Sequence, residues 1–342
     1  MNLLPSPEQQ EIVSTVAAFL AKQFPISRIR EIRAHPSTHD PATWTHCAEL
    51  GWFGLGLAEE HGGVGYGLIE EALLFREIGR HLAPGPFLAC TLGARVAASA
   101  GREELAAQIL SGHAVVGWAE PRDPQAIRSG RVSGDFDLLD APEASYVLAV
   151  TPAGAALVAA EDLTDIEVLE CLDPALRLGR VHLDAVAPVA HVGVDIESIF
   201  VRGLVLVAAM SVGVAEATRD AAAEYAKARV QFGKPIGVHQ AIKHRCADMA
   251  MRAEAASAQM AFAALSVDEV RSDAAFQSAS AKAVAANASI RNAGDNIQIH
   301  GGMGYTFEHD AQLYLKRAHV LDWTLGDVRS QLARLIALPA AQ

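Results

Sequence analysis

The chain has 342 residues, 51% hydrophobic and 20% charged, which is enough apolar material for two or three packed domains and argues against disorder. Its 28 basic and 40 acidic residues leave a net charge of −12, so a nucleic-acid binder with a broad basic face is excluded and adhesion to an anionic membrane is disfavoured. An anionic ligand has to be met by a few placed cations. Residues 1 to about 112 read as helices joined by short turns. Ser6 is an N-cap signal with Pro7 at the first helical position, and Asp40-Pro-Ala-Thr starts a further helix. Gly62-Gly-Val-Gly-Tyr-Gly67 is a turn, after which Leu68 to Gly79 resumes a helical period.

Residues 113 to about 195 change character. Val115–Trp118, Tyr146–Val150, Ala156–Val158 and Val181–Leu183 are short β-like runs punctuated by Pro, Gly and Asp, which predicts a small β domain. Residues 196–342 return to long helices: Leu204 to Val230, stopped by Gly233-Lys-Pro235, then Val238 to Leu265, Asp273 to Ile299, and a fourth from Phe307 onward. Short connections between four long helices predict an antiparallel bundle. The expected class is mainly α with a small β domain: an N-terminal helical domain (1–112), a middle β-barrel-like domain (113–195) and a C-terminal four-helix bundle (196–342).

The four cysteines, Cys47, Cys90, Cys171 and Cys246, are far apart and form no Cys-x-x-Cys, so they read as reduced packing residues. No His-Glu-x-x-His and no carboxylate–histidine cluster supports a metal. Gly63, Gly65 and Gly67 do not make a dinucleotide fingerprint, and no P-loop or nucleophile elbow is present. The N-terminus lacks a basic region followed by an apolar run, and no stretch of roughly 18 residues stays apolar without charge, glycine or proline. A cytoplasmic protein is expected.

Two motifs carry the chemistry. Arg229-Val-Gln-Phe-Gly-Lys-Pro-Ile-Gly-Val-His-Gln240 places a permanently charged, planar fork at a helix end. Gln298-Ile-His-Gly-Gly-Met-Gly-Tyr305 places a glutamine before paired glycines, whose backbone N–H groups can approach an anion. Gly301 and Gly302 are expected to precede a helix whose N-terminal dipole favours negative charge. Together the two motifs suit a pyrophosphate.

The order of domains and these motifs resemble the acyl-CoA dehydrogenase family over nearly the whole chain. Leu50 to Gly65, Ile78-Gly-Arg-His-Leu-Ala-Pro84 and Leu172-Asp-Pro-Ala-Leu-Arg-Leu-Gly179 look like further family segments. The resemblance implies FAD bound across a subunit boundary, with Arg229 at the pyrophosphate, Gln231 and Phe232 as adjacent contacts, Gln240 near the adenosine end, and Gln298, Gly301 and Gly302 as the second half of the cradle. It implies α,β-dehydrogenation of an acyl-CoA thioester. A carboxylate removes the α-proton, the flavin takes the β-hydride, and an electron-transfer flavoprotein or similar acceptor takes the electrons.

The chain departs from the family at the base. Aligning the late glycine on Gly326 puts Leu325 where a glutamate is usual, and the alternative position, in Phe200-Val-Arg-Gly-Leu-Val-Leu206, has no carboxylate. The flavin wall departs too: Trp118-Ala-Glu-Pro-Arg-Asp-Pro124 keeps Glu120 and Pro121 and lacks the family's glycine–serine part. Two losses point to the base-less, shorter subunit of a hetero-oligomer, similar to actinobacterial heteromeric members acting on steroid side-chain or other bulky acyl-CoA substrates. Its partner is then a longer paralogue in a dimer of heterodimers. Two alternatives stay open: a homomeric dehydrogenase with Asp322 or Asp327 as base, and a flavin-free scaffold of the same fold. For both aspartates a capping or surface role is the simpler expectation.

Overall fold

The computed structural model describes residues 3–33, 35, 37–194 and 198–339; the expected boundary at 195–196 lies outside them. Helices come first: α1 (Pro7–Gln23), α2 (Ser27–Ile32), α3 (Pro41–Glu49), α4 (Leu68–Arg80), α5 (Phe87–Ser99) and α6 (Glu103–Leu110). Local signals set their starts. Ser6 Oγ accepts the Gln9 N–H at 3.2 Å while the Gln9 side chain accepts the Ser6 N–H at 2.8 Å, a reciprocal capping box. Asp40 Oδ2 accepts the Thr43 N–H at 2.9 Å, and this bond with the Thr43 hydroxyl lowers the Asp40 pKa, the hydroxyl first.

Eight strands follow: β1 (Val116–Pro121), β2 (Ile127–Arg128), β3 (Arg131–Leu139), β4 (Tyr146–Thr151), β5 (Gly154–Ala159), β6 (Glu167–Leu169), β7 (Leu178–Val186) and β8 (Ala190–Val192). They form one sheet in the order β6-β7-β3-β1-β4-β5-β8, with β2 on β3. Only the β1–β4 pairing is parallel. The barrel-like expectation thus takes the form of a mixed sheet whose ladder is an open path. Nine-residue β3 went unpredicted because Gly134, Asp135 and Asp137 are poor strand formers. Its Val132, Phe136 and Leu138 nonetheless face one side, packed with Ala119, Val147 and Val181.

The remainder is α7 (Ile199–Ala228), a two-stranded hairpin β9 (Val230–Gln231) and β10 (Lys234–Pro235), then α8 (Gln240–Asp268), α9 (Ala274–His300), α10 (Ala311–Trp323) and α11 (Val328–Ala337). The helix expected from Phe307 onward is two helices, broken where Leu325 and Gly326 take φ of +60° and +88°. Helix α7 is apolar and long enough by composition to cross a membrane, and 89% of its apolar window is buried inside the fold.

Spatially the chain divides into two compact units that are discontinuous in sequence: Met1–Ser27, Ala72–Ala83 and Leu204–Gln342 form one, and Arg28–Glu71 with Pro84–Gly203 the other. In the first unit α4 and α7 cross backbone on backbone. A Cβ on Gly213 would lie 1.9 Å from the Arg76 carbonyl, and one on Gly79 2.1 Å from that of Met210, so only glycine fits. Fully buried Asn292 ties the long helices together: its amide donates to Ala215 O on α7 and Met249 O on α8, both at 3.0 Å. Buried amides of this kind are retained because both donors are satisfied. The second unit packs the sheet's apolar face and an aromatic cluster of Trp44, Phe53 and Phe87, with Trp44 centroid distances of 4.5 and 4.8 Å to the other two.

Candidate anion cradle and the loop of the missing base

Helix α7 ends at Ala228, and the next residue is Arg229, whose N–H still bonds Tyr225 O at 2.8 Å. The side chain of Arg229 is exposed and has no ion pair or hydrogen bond among the described residues. The hairpin that follows pairs Gln231 with Lys234, leaving Phe232-Gly233 as a two-residue turn with φ of +52° and +75°. Positive φ at both positions is the type I′ geometry, which favours Asn-Gly. A phenylalanine there costs about 1–2 kcal/mol of backbone strain. Phe232 is 96% exposed, so no core contact offsets that strain. Gln231 is exposed, its amide bonded only to the neighbouring Val230 O at 2.8 Å, and Gln240 opens α8, also exposed.

The second motif sits at the end of α9. Gln298 is exposed, and its backbone carbonyl accepts the Gly301 N–H that closes the helix. Gly301 has φ of +64°, and a Cβ at Gly301, Gly302 or Gly233 would meet nothing within 4 Å. The backbone there is open to a ligand. The dipole expectation is corrected. Gly301–Tyr305 is a 3₁₀ turn following the C-terminus of α9, and α10 begins only at Ala311, so no long helix points its positive end at the paired glycines. Charge at this site must come from side chains.

The structure brings the two motifs together. Ala222, Ala226, Met249 and Ile299 form one buried cluster, with Tyr225, Ile236 and Ile242 packed on it, so the end of α7, the segment after the hairpin and the end of α9 share a base. The sequence carries an electrostatic signal at the same place. Between Glu224 and Asp248 lie Lys227, Arg229, Lys234, Lys243 and Arg245 and no carboxylate, a basic island in a chain of net charge −12. Lys227 pairs with Glu224 and Arg245 with Asp295, each at 2.6 Å. Arg229, Lys234 and Lys243 remain unpaired among the described residues. The donor set fits a diphosphate: unpaired cations beside glycine backbone with open space over it.

The loop aligned with the family's base is arranged differently. Leu325 is 3% exposed and held in the left-handed region. The Leu325 carbonyl accepts from Gln331 Nε2 at 2.8 Å, and that of Gly326 from the same nitrogen at 3.0 Å. Fully buried Lys282 donates to the Asp322 carbonyl at 2.9 Å. Asp322 Oδ1 accepts the Val328 N–H at 3.1 Å. Asp327 is the N-cap of α11, accepting Ser330 Oγ–H at 2.6 Å and Ser330 N–H at 2.8 Å. Those bonds, the hydroxyl first, lower its pKa. Both aspartates therefore accept backbone N–H groups at the start of α11, and the lowered pKa of Asp327 makes it a weak proton acceptor.

At the alternative base position α7 carries Arg202 rather than a carboxylate. It is 5% exposed and ion-paired at 2.6 Å with Glu71, itself 1% exposed. Gly56 lets the chain close on this pair: a Cβ there would lie 3.0 Å from Glu71 Oε1 and 3.2 Å from an Arg202 nitrogen. Sequence reasoning missed the pair because its members are 131 residues apart.

Trp118 and Glu120 lie on the sheet face opposite the core cluster, joined by Trp118 Nε1–H to Glu120 Oε2 at 2.7 Å. Register places Glu120, Asp137, Arg180 and Glu167 in one row across β1, β3, β7 and β6. Arg122 closes a two-point fork on Asp137 at 2.9 and 3.0 Å, and Arg180 adds a bond at 3.1 Å. That face is an ion-paired ladder with no glycine–serine opening at Arg122–Pro124. All four cysteines are free; burial pushes the Cys47 and Cys90 thiols up to about 12.

The family description "Acyl-CoA dehydrogenase, N-terminal domain" matches residues 6–115, and "Acyl-CoA dehydrogenase, C-terminal domain" matches residues 195–337. The chain is 32% identical to the acyl-CoA dehydrogenase IpdE2 of Mycobacterium tuberculosis, over 97% of this chain and 98% of that protein. It is similar in structure to a chain of the ChsE4–ChsE5 complex from the same species, with a TM-score of 0.84, 25% identity and full coverage of both chains (100% and 100%). A variant of the Tcur3481–Tcur3483 steroid ACAD superposes with a TM-score of 0.85 at 24% identity, covering 96% of this chain and 97% of that one.

Proposed function

The chain belongs to the acyl-CoA dehydrogenase family, oxidoreductases acting on acyl-CoA, and from that premise we propose that it is the subunit supplying the nucleotide half of an FAD site whose ring wall and base belong to a different subunit. FAD, when bound, accepts the β-hydride of the thioester. This chain's own contribution is binding and placement. Arg229 holds the pyrophosphate as a charge-assisted fork, Gln231 and Phe232 add adjacent contacts, Gln240 lies near the adenosine end, and Gln298 and the Gly301–Gly302 backbone supply the second half of the cradle. The domains divide the labour: residues 196–342 hold the nucleotide, while 1–112 and 113–195 shape the boundary with the partner.

The observation that carries this reading is the contrast between the two sites. Arg229 is exposed and unpaired among the described residues, whereas Leu325 is buried and both nearby aspartates accept N–H groups at the start of α11. A homomeric dehydrogenase using Asp322 or Asp327 needs one of them free. The relatives support a mixed assembly, since ChsE4–ChsE5 is by name a complex of two components. We place this chain in a dimer of heterodimers with a longer paralogue, in the cytoplasm, passing electrons to an electron-transfer flavoprotein or similar acceptor. The substrate class is a bulky acyl-CoA, with a steroid side-chain thioester as the narrower choice; the Tcur3481–Tcur3483 protein is named a steroid ACAD.

The deciding experiment measures flavin per chain after expression alone and with a longer paralogue. One FAD per pair of unlike chains, with turnover only in the pair, is expected. A yellow protein with one FAD per chain that oxidises acyl-CoA alone, and loses turnover in D322N or D327N, would overturn the proposal.

A further inference from the structure

The two halves of the cradle stand at the C-terminal ends of two different helices. Such ends carry partial negative charge, so neither attracts an anion by itself. Binding then depends on the spacing between Arg229 and the glycine turn. Tyr225 lies one turn before Arg229 and accepts its N–H at 2.8 Å; His300 immediately precedes Gly301. Their rings stack with centroids 4.1 Å apart and an interplanar angle of 29°. On the chain beyond the glycine turn, His309 meets the same imidazole at 4.5 Å and 53°.

The hydrogen bonds fix the tautomers. His300 Nδ1 lies 2.8 Å from the Asn296 carbonyl, which can only accept, so Nδ1 carries the proton. His309 Nδ1 accepts the Ala311 N–H at 3.1 Å and so carries the lone pair. Burial lowers the His300 pKa, opposed by the Asn296 bond. One turn earlier on α9, the Asn296 side chain is 1% exposed and its Oδ1 has no hydrogen-bond partner among the described residues, so a buried polar atom there is left unsatisfied by them.

We propose that the Tyr225–His300–His309 stack is a positioning device that clamps the end of α7 to the end of α9 and so sets one spacing between Arg229 and the Gly301–Gly302 backbone. The assignment rests on the reading of those residues as a diphosphate cradle. His300 acts through Gly301 and is a positioning residue. Its ring, rather than its charge, does the clamping, so another flat ring serves in its place.

The test uses the full chain, in the assembly it forms in solution, with ADP as probe and calorimetry as readout. His300→Ala and Tyr225→Leu should each weaken ADP about tenfold, the size of a lost ring pair, while His300→Phe stays within about threefold of the parent. Amide hydrogen exchange at Gly301 and Gly302 should quicken about tenfold in the first two variants, with the core amides of α9 unchanged, a pattern global destabilisation does not produce. If Arg229→Ala abolishes ADP binding while His300→Ala and Tyr225→Leu bind like the parent, the clamp is wrong and the cradle stands. If ADP does not bind the parent, or binds Arg229→Ala equally well, the cradle fails and the clamp with it. Should His300→Ala not fold, Tyr225→Leu and His300→Phe decide: parent-like ADP affinity in Tyr225→Leu, or a tenfold loss in His300→Phe, overturns the proposal.

Discussion

Phe232-Gly233 and Leu325-Gly326 are near copies as backbone: each follows a long helix, and each puts a bulky residue and then a glycine at positive φ, +52° and +75° in one, +60° and +88° in the other. Their surroundings are opposite. Phe232 is 96% exposed on an open hairpin beside exposed Arg229, while Leu325 is 3% exposed with its carbonyl held by Gln331 and its loop held by Lys282. The same strain serves two ends. In the first turn nothing in the fold offsets it, which points to a ligand. In the second the fold itself over-determines it, with Leu325 buried as a packing residue.

The largest test of the contrast is Arg229→Ala. Loss of a charge-assisted fork should weaken flavin or ADP binding about a hundredfold with little change in melting temperature, since the side chain is exposed and holds no ion pair or hydrogen bond among the described residues. Lys282→Met should do the reverse. Orphaning buried carbonyls in the 322–326 loop costs about 2 kcal/mol, read by urea melts, with nucleotide affinity intact. Exchanging the strained residues splits the turns by sign. Phe232→Asn should raise stability by about 1 kcal/mol and weaken nucleotide binding, whereas Leu325→Asn should lower stability because a buried apolar side chain is lost. Equal signs in the two melts would erase the distinction.

The smallest effect concerns Asp327. Removing this N-cap with Asp327→Ala should cost about 1 kcal/mol. Its folded pKa is lowered, by the Ser330 hydroxyl first, so its stabilisation is complete above the unfolded value of about 3.9 and fades as pH falls through the folded value. The variant's stability should therefore be flatter below about pH 4 than the parent's, with the catalytic rate of the assembly unchanged. A rate collapse in Asp327→Ala would make it the base.

What was legible in the chain was local. Ser6 with Gln9 and Asp40 with Thr43 announce helix starts because a cap needs only three or four neighbouring residues. Arg229 and Gln298-x-x-Gly-Gly stand out as motifs, and Leu325 as the residue aligned with the family's usual glutamate. Strand β3 was hidden because its pairing with β1 and β7 overrides the poor propensity of Gly134 and the aspartates. The paired glycines suggest the start of a helix, whereas the turn at Gly301 closes α9.

By itself, the sequence determined the family and the order of helical, sheet and helical segments, because caps, periodicity and short motifs act over a few residues. Only tertiary structure decided which charges are free to act. Glu71 is claimed by Arg202 from 131 residues away, Asp322 by Val328, and Asp137 by arginines on two sides, while Arg229 is left without a partner among the described residues. Whether a carboxylate is a base or a cap, and whether a strained turn serves a ligand or the core, depends on what lies within about 3 Å, and that is set by long-range packing.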